Sequence, residues 1–204
     1  EFKHKFSLLP GLCASMKKAM VRTGINIYIA MGGAAGQQSS HFLLHLLPRE
    51  KGDGFFNFLF KGKAENILDE KSWKMLANNM PIMMGNHFKR NPASWHIGKG
   101  DVPNYLEEIY NGCKIIYEDE KVLCVLANNS IAKGHLIVYS KTEEKYIEKM
   151  SQEDSAHLFF TASFASTAVF EGLGAHGSNI ILKSGESDDN PDGRLEVHII
   201  PRWQ

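Results

Sequence analysis

No stretch of these 204 residues stays apolar for the ~20 positions that a membrane-spanning helix requires, and no charged start leads into a signal-like apolar core. The expectation is a soluble, cytoplasmic protein with no membrane partner. An excess of charge of either sign is also missing. Lys+Arg 23 against Asp+Glu 23 leaves a net charge of zero, so the overall balance names no nucleic acid, anionic membrane or polyanion as an obligatory partner. Cysteine is scarce: Cys13, Cys113 and Cys124 are odd in number and form no C-x-x-C pair. That fits buried thiols in a reducing compartment better than a disulfide framework or a zinc site. His87 and His96 in the connector, His135 and His157 do not pair at metal-ligand spacing with a carboxylate. Neither a metal nor a cofactor is expected.

What is present is ordered. Apolar and basic residues alternate through 5–22 in a helical pattern interrupted by Pro10-Gly11, predicting a helix at least from Leu12. "INIYIA" (25–30) reads as a strand, "MGGAAGQQSS" (31–40) as a small-residue loop, and "HFLLHLLP" (41–48) as a second strand. The far end repeats this order. Ser151 caps a long helix that closes at Gly174, then "SNIILK" (178–183), the polar loop 184–193 and "RLEVHIIP" (194–201) follow. Pro48 set on Pro201 aligns the two stretches without a gap, an internal duplication at a period of about 150 residues. The second copy also has "CKIIYEDEKVLCVLANNSIAKGHLIVYSK" (113–141), with no counterpart for the first. The expected organisation is 1–53, the rear half of a first copy; 54–112, a connector with a helix near Ala64 to Asn79; and 113–204, a complete second copy. The first copy has either lost its front strands or has them ahead of Glu1.

The stretch "GGAAGQQSSHFLLHLLPREKGDG" resembles the histidine-triad (HIT) superfamily, whose signature is His-x-His-x-His followed by two apolar residues, often with Pro-Arg after them. "YEDEKVLCVLANNSIAKGHLIVYSK" is similar to the opening strands of the same family. The resemblance covers 113–203 as one copy and about 5–53 as the rear half of another. It implies an α+β fold: an antiparallel sheet with a long helix, duplicated as a pseudo-dimer whose first copy lacks its front strands. It also implies a chemistry. Alternate residues of a strand face one way, so three histidines at i, i+2 and i+4 would all meet a bound phosphate. In the family the middle imidazole attacks the α-phosphorus of a nucleotide and becomes covalently nucleotidylated. The preceding glycine-rich loop offers backbone N–H groups to phosphate oxygens.

Both copies depart from that signature. The triad positions of the first are His41, Leu43 and His45, and an isobutyl group cannot form a phosphoramidate. Its loop survives, so Gly36, Gln37, Gln38 and Ser39, with His41 and His45, are the candidate phosphate-binding residues. The second copy has Arg194, Glu196 and His198, with a carboxylate at the reacting position. The loop before it adds Glu186, Asp188, Asp189 and Asp192, each like-charge pair costing ~3 kcal/mol at ~6 Å and an effective dielectric of ~20. Ala127 stands where the resemblance places a ribose-binding aspartate, and Lys183 where it places an asparagine. Residues 188–193 fit the opening of a calcium loop, but Ile199 takes the place of the closing glutamate, so a solvated acidic hairpin loop is expected. "GFFNFLF" (54–60) reads as an edge strand or a core-filling run rather than a partner-binding segment.

No residue is therefore assigned as catalytic. The leading expectation is a degenerate HIT-like protein with residual nucleotide or phosphate binding that associates with a protein partner, or with itself, through its sheet edges. The alternatives are an active nucleotide hydrolase or nucleotidyl transferase using an unorthodox residue, and a structural module of a larger assembly.

Overall fold

A computed structural model of the chain describes residues 2–93, 96 and 98–204. Helices α1 (Phe2–Ser7) and α2 (Leu9–Met20) precede strands β1 (Gly24–Met31) and β2 (His45–Arg49). Helices α3 (Glu70–Arg90) and α4 (Glu107–Gly112) follow, then strands β3 (Ile115–Glu118), β4 (Val122–Leu126) and β5 (Leu136–Ser140). Helix α5 (Gln152–Leu173) and strands β6 (Gly177–Ser184) and β7 (Glu196–Arg202) complete the chain. All strands join one 7-stranded antiparallel sheet in the order β2-β1-β6-β7-β5-β4-β3, so the α+β class expected from the sequence is the class observed. Among the described residues no helix is long and apolar enough to cross a membrane.

Local chemistry accounts for the helix limits. The Ser151 side chain accepts the Asp154 N–H at 3.0 Å to start α5, and Gly174 ends it at φ 68°. Pro10 falls in the first turn of α2, where its missing N–H costs nothing, so the helix expected at least from Leu12 already starts at Leu9. The connector helix is displaced from its expected place. Residues Ala64–Asn66 make only a single 3-10 turn, and Asp69 caps α3 by accepting the Ser72 N–H at 2.9 Å. Ser94, Trp95 and Ile97 of the connector, and Glu1, lie outside the described residues.

Two hairpins meet where β1 pairs with β6, the second and third strands of the sheet, with matching registers. Gly24 pairs with Arg49 in the first, and Gly177 with Arg202 in the second. Between them Tyr28 pairs with Ile181, Ile25 with Ser184, and Met31 with Ser178. Under the alignment of Pro48 with Pro201, Tyr28 thus pairs with its own counterpart, and the flanking pairs are reciprocal, as in an isologous interface. Helices α2 and α5 also end at corresponding residues, Met20 and Leu173.

The pleat sorts side chains onto two faces. Val197 and Ile199 of β7 point into a core shared with Leu158, Ala162 and Val169 of α5 and Met80 and Met84 of α3. Glu196 and His198 point the other way. That opposite face is covered at one end by Leu106 and neighbouring residues, which pack on Leu123, Val125 and Tyr139. Next to it an irregular strap, residues 54–63, crosses the sheet. "GFFNFLF" is therefore neither an edge strand nor a core run: Phe56 is 55% and Leu59 42% exposed, while Phe58 and Phe60 are turned partly inward.

Candidate functional site

Strand β7 begins at Glu196, so Arg194 precedes it and only two of the three triad positions of the second copy lie on the strand. Register places Lys183 opposite Glu196, and Ile181 opposite His198. Tyr139 and Ile137 of β5 flank the same pair. Lys183, Glu196, His198, Ile137 and Tyr139, with Ala127, Asn128, His135, Asp192 and the strap residue Phe60, line a cleft of about 410 Å³.

A chain of hydrogen bonds runs through the floor. His198 Nε2 lies 3.0 Å from Glu196 Oε2, and His198 Nδ1 lies 3.0 Å from Nε2 of His135. Because a carboxylate can only accept, His198 donates from Nε2, and its bare Nδ1 accepts from His135. A weaker contact, Ile131 N–H to His135 Nδ1 at 3.5 Å, continues the same direction. Both imidazoles are neutral in this arrangement. Burial, reinforced by the Lys183 charge, holds His135 well below the usual imidazole range. Burial also lowers His198, against the upward pull of its bond to Glu196.

Lys183 Nζ stands 3.8 Å from Glu196, donates to the Phe58 carbonyl at 3.3 Å and lies over the Phe60 ring at 4.9 Å. Burial pulls this ammonium down, with Glu196 and Asp189 opposing. Burial pushes the Glu196 carboxyl up, but the His198 bond and the Lys183 charge override it and leave it below its usual value. The Phe60 ring closes over the cluster, 4.8 Å from the His198 ring and 5.8 Å from that of His135.

The acidic loop before β7 is not the solvated hairpin expected. Asp189 is 1% exposed and accepts from Arg49 NH1 at 2.6 Å, Asn26 Nδ2 at 3.0 Å and Ser187 Oγ at 2.8 Å. Asp188 accepts the backbone N–H groups of Gly52 and Gly54 at 2.7 and 2.8 Å. The loop clamps the end of the first hairpin through Asp188 and Asp189, whose carboxylates are engaged there, while Glu186 and Asp192 are exposed. Arg49, the Pro-Arg arginine of the first copy, is the centre of this clamp. It also grips Asp53 with two nitrogens, at 2.6 and 3.0 Å, and donates to the Phe55 carbonyl at 2.7 Å. Burial pulls its guanidinium down, and the bonds to Asp53 and Asp189 more than compensate.

In the first copy β2 begins at His45, so His41 and Leu43 sit on the exposed segment before it and do not share a strand face with His45. His45 lies 5.8 Å from the Tyr28 ring, in a separate open cavity of about 760 Å³ with Phe55 and Phe58. The glycine loop is folded on itself. The N–H groups of Ala35 and Gly36 go to the Gly32 and Gly33 carbonyls, and that of Gln37 to Gly32. The Gln37 side chain accepts from Gly32 N–H and donates to the Ser39 carbonyl, and Ser39 Oγ accepts the His41 N–H. Two of the backbone donors expected to cradle a phosphate, Gly36 and Gln37, are spent inside the loop, as is that of Ala35 beside them. Gln38 remains beside them, and the histidines His41 and His45 are exposed.

Three participants were not singled out by sequence reasoning: His135 as the partner of His198, Phe60 as the lid, and Arg49 as the partner of Asp189. Strand pairing carries a signal for His135, since it immediately precedes β5, the neighbour of β7. The other two depend on loops and had none.

Comparison with known proteins gives a consistent family. Residues 109–204 match the HIT domain. An uncharacterized HIT-like protein of Methanocaldococcus jannaschii is 31% identical over 100 residues, 48% of this chain and 77% of that protein. The adenylylsulfatase HINT3 of Arabidopsis thaliana is 26% identical over 90 residues, 44% of this chain and 46% of that one. In structure, the ADP-glucose phosphorylase of Arabidopsis thaliana, solved with bound ADP-glucose, aligns with a TM-score of 0.60 at 10% identity. That alignment covers 100% of this chain and 57% of the other, so the chain spans a little over half of that protein and the likeness is one of fold.

Proposed function

This chain belongs to the histidine-triad (HIT) family, and from that premise we propose that it is a degenerate member, which does not form a nucleotidyl-histidine and retains at most weak binding of a nucleotide or phosphate. One observation carries the reading. The reacting position of the second copy is a carboxylate, and that carboxylate holds the flanking histidine through Nε2 and pairs with Lys183. A nucleophile must be both uncommitted and tolerant of the incoming negative charge. Glu196 is neither. The same position in the first copy is Leu43, exposed and off the strand.

The adenylyl chemistry named for the Arabidopsis relative and the nucleotide sugar bound by the structural neighbour support a nucleotide as the ligand class for the second-copy cleft. The reciprocal strand register supports a tandem duplication in which residues 1–53 are the rear half of a first copy, 54–112 the connector and 113–204 the second copy. Phosphate binding by the first copy rests on His41, His45 and the loop residues Gly36, Gln37, Gln38 and Ser39. With the loop donors at 35–37 already spent, the two exposed histidines carry most of it. The partner role falls to the sheet edges β2 and β3, which among the described residues have no neighbouring strand on their outer sides.

The test is turnover of adenosine phosphoramidate and diadenosine polyphosphates, alongside calorimetric titration with AMP and GMP. No turnover above background is expected, and Glu196→Gln leaves that unchanged. Turnover abolished by His198→Ala or His45→Ala would refute the reading.

A further inference from the structure

The cleft over Glu196 and His198 is closed by a segment that is part of neither hairpin. The strap 54–63 is fixed at both ends and loose between them. At the start Arg49 holds Asp53 and the Phe55 carbonyl, and Asp188 accepts the Gly52 and Gly54 N–H groups. At the end the Lys63 N–H donates to the Ser130 carbonyl at 3.0 Å. Gly62 passes so close to the second copy that a Cβ on it would lie 2.5 Å from the Asn129 carbonyl carbon. Between these anchors the backbone is irregular, and Phe56 and Leu59 face solvent. Segments with few internal backbone bonds and little buried apolar surface open first. What holds the middle is aromatic: Phe58 stacked on Tyr28 at 6.0 Å, and Phe60 edge-on to His198 and beneath the Lys183 cation.

We infer that residues 54–63 form a displaceable strap that keeps the second-copy cleft shut, with Phe60 in the place of a ligand's planar aromatic group. Phe60 meets the His198 ring at 72° and the His135 ring at 87°, both edge-to-face, and accepts Lys183 as a cation–π partner. A planar ring from outside would use the same contacts, and the carbonyl of Phe58 would release Lys183 as the strap lifts. The ligand arm of this inference rests on the proposed reading of the cleft as a nucleotide site; the closure itself does not.

Cys113 provides a built-in reporter. It lines the same cleft as Leu59 and Phe60 and is half-buried, whereas Cys13 and Cys124 are fully buried. Modification of the folded protein by a small aromatic disulfide reagent therefore reads Cys113. Phe60→Ala removes the ring, and Gly62→Ala forces the far anchor away from Asn129 at the rim of the cleft while leaving the Phe60 ring in place, so a folding defect peculiar to one variant does not decide the outcome. Both are expected to speed Cys113 modification at least several-fold, while the control Phe56→Ala leaves the rate unchanged. Adenosine, an uncharged probe, is titrated against the same proteins, with roughly tenfold or greater tightening expected in Phe60→Ala. Faster labelling with no adenosine binding in any variant would support the closure and count against the nucleotide reading alone. Labelling rates in Phe60→Ala and Gly62→Ala equal to that of the unaltered protein would overturn the strap.

Discussion

Replacing Arg49 tests whether the acidic loop before β7 is a clamp. Arg49 is 3% and Asp189 1% exposed, and among the described residues the other side-chain donors to the Asp189 carboxylate are Asn26 and Ser187. Arg49→Met keeps an unbranched apolar stem but leaves the Asp189 carboxylate buried without its cation, a loss of ~3–5 kcal/mol for this class of change. For a chain of this size ~1 kcal/mol moves the midpoint by ~2–4 °C, so the variant should melt about 6–20 °C lower. Asp189→Asn should cost less, because the guanidinium keeps Asp53 and the Phe55 carbonyl. The double variant should recover part of the loss, since neither charge is then left alone in the interior. Arg49→Lys should not rescue, because one ammonium cannot reproduce the two-nitrogen grip on Asp53. Urea and thermal unfolding followed by circular dichroism at pH 7 supply the four stabilities, and added salt should change them little because the pair is buried. A cost below ~1 kcal/mol for Arg49→Met, or a double variant equal to the sum of its singles, would show that the charges do not work as a buried pair.

Stability should also fall on mild acidification. His135 and His198 are both held below 6.5 by burial, so between their folded values and 6.5 the unfolded chain binds more protons than the folded one. Their contribution is complete above about pH 6.5 and is lost as pH falls, with a slope of up to ~1.4 kcal/mol per pH unit for each histidine. Glu196, also depressed, adds its own loss below its usual value of 4.5. His87 and His96, also lowered by burial, add to the slope from outside the cleft. Denaturation at pH 5 to 7 measures it; His135→Asn should flatten it in part, and an unchanged slope would exclude His135 as a source. Two glycine substitutions should have opposite signs. Gly185→Ala meets both a φ of +74° and a Thr23 carbonyl oxygen 2.4 Å from the new Cβ, and should cost at least ~1–3 kcal/mol. Gly11→Ala, in α2 with nothing within 4 Å of the added atom, should gain up to ~1 kcal/mol.

The sequence made the sheet readable because period-two patterns and caps are local. Ser151 and Gly174 mark α5 within a residue of where it lies, and β1 and β6 appear as β-branched runs. The aligned copies also put β1 and β6 in corresponding places, although nothing local says that those two strands pair. Strand starts were less legible: "HFLLHLLP" and "RLEVHIIP" look uniform, yet pairing begins only at His45 and Glu196. The site was half legible. Glu196 and Leu43 follow from the motif alone. That Asp189 pairs with Arg49, and that Phe60 covers His198, depends on where two loops travel, and turn-forming composition does not encode a destination.

The reciprocal pairing of β1 with β6 also has a consequence in time. During synthesis the first hairpin leaves the ribosome long before the strand it joins, with roughly 145 residues between Met31 and Gly177; at ~5–20 residues per second the wait is on the order of 10–30 s. Ile25, Ile27 and Ile29 are almost fully buried in the folded molecule, and their β6 partners Ser184, Leu182 and Ile180 are absent during that interval. The seam between β1 and β6 therefore closes only once the roughly 145 intervening residues have been made, and the edge of β1 that β6 will occupy stays open for that interval.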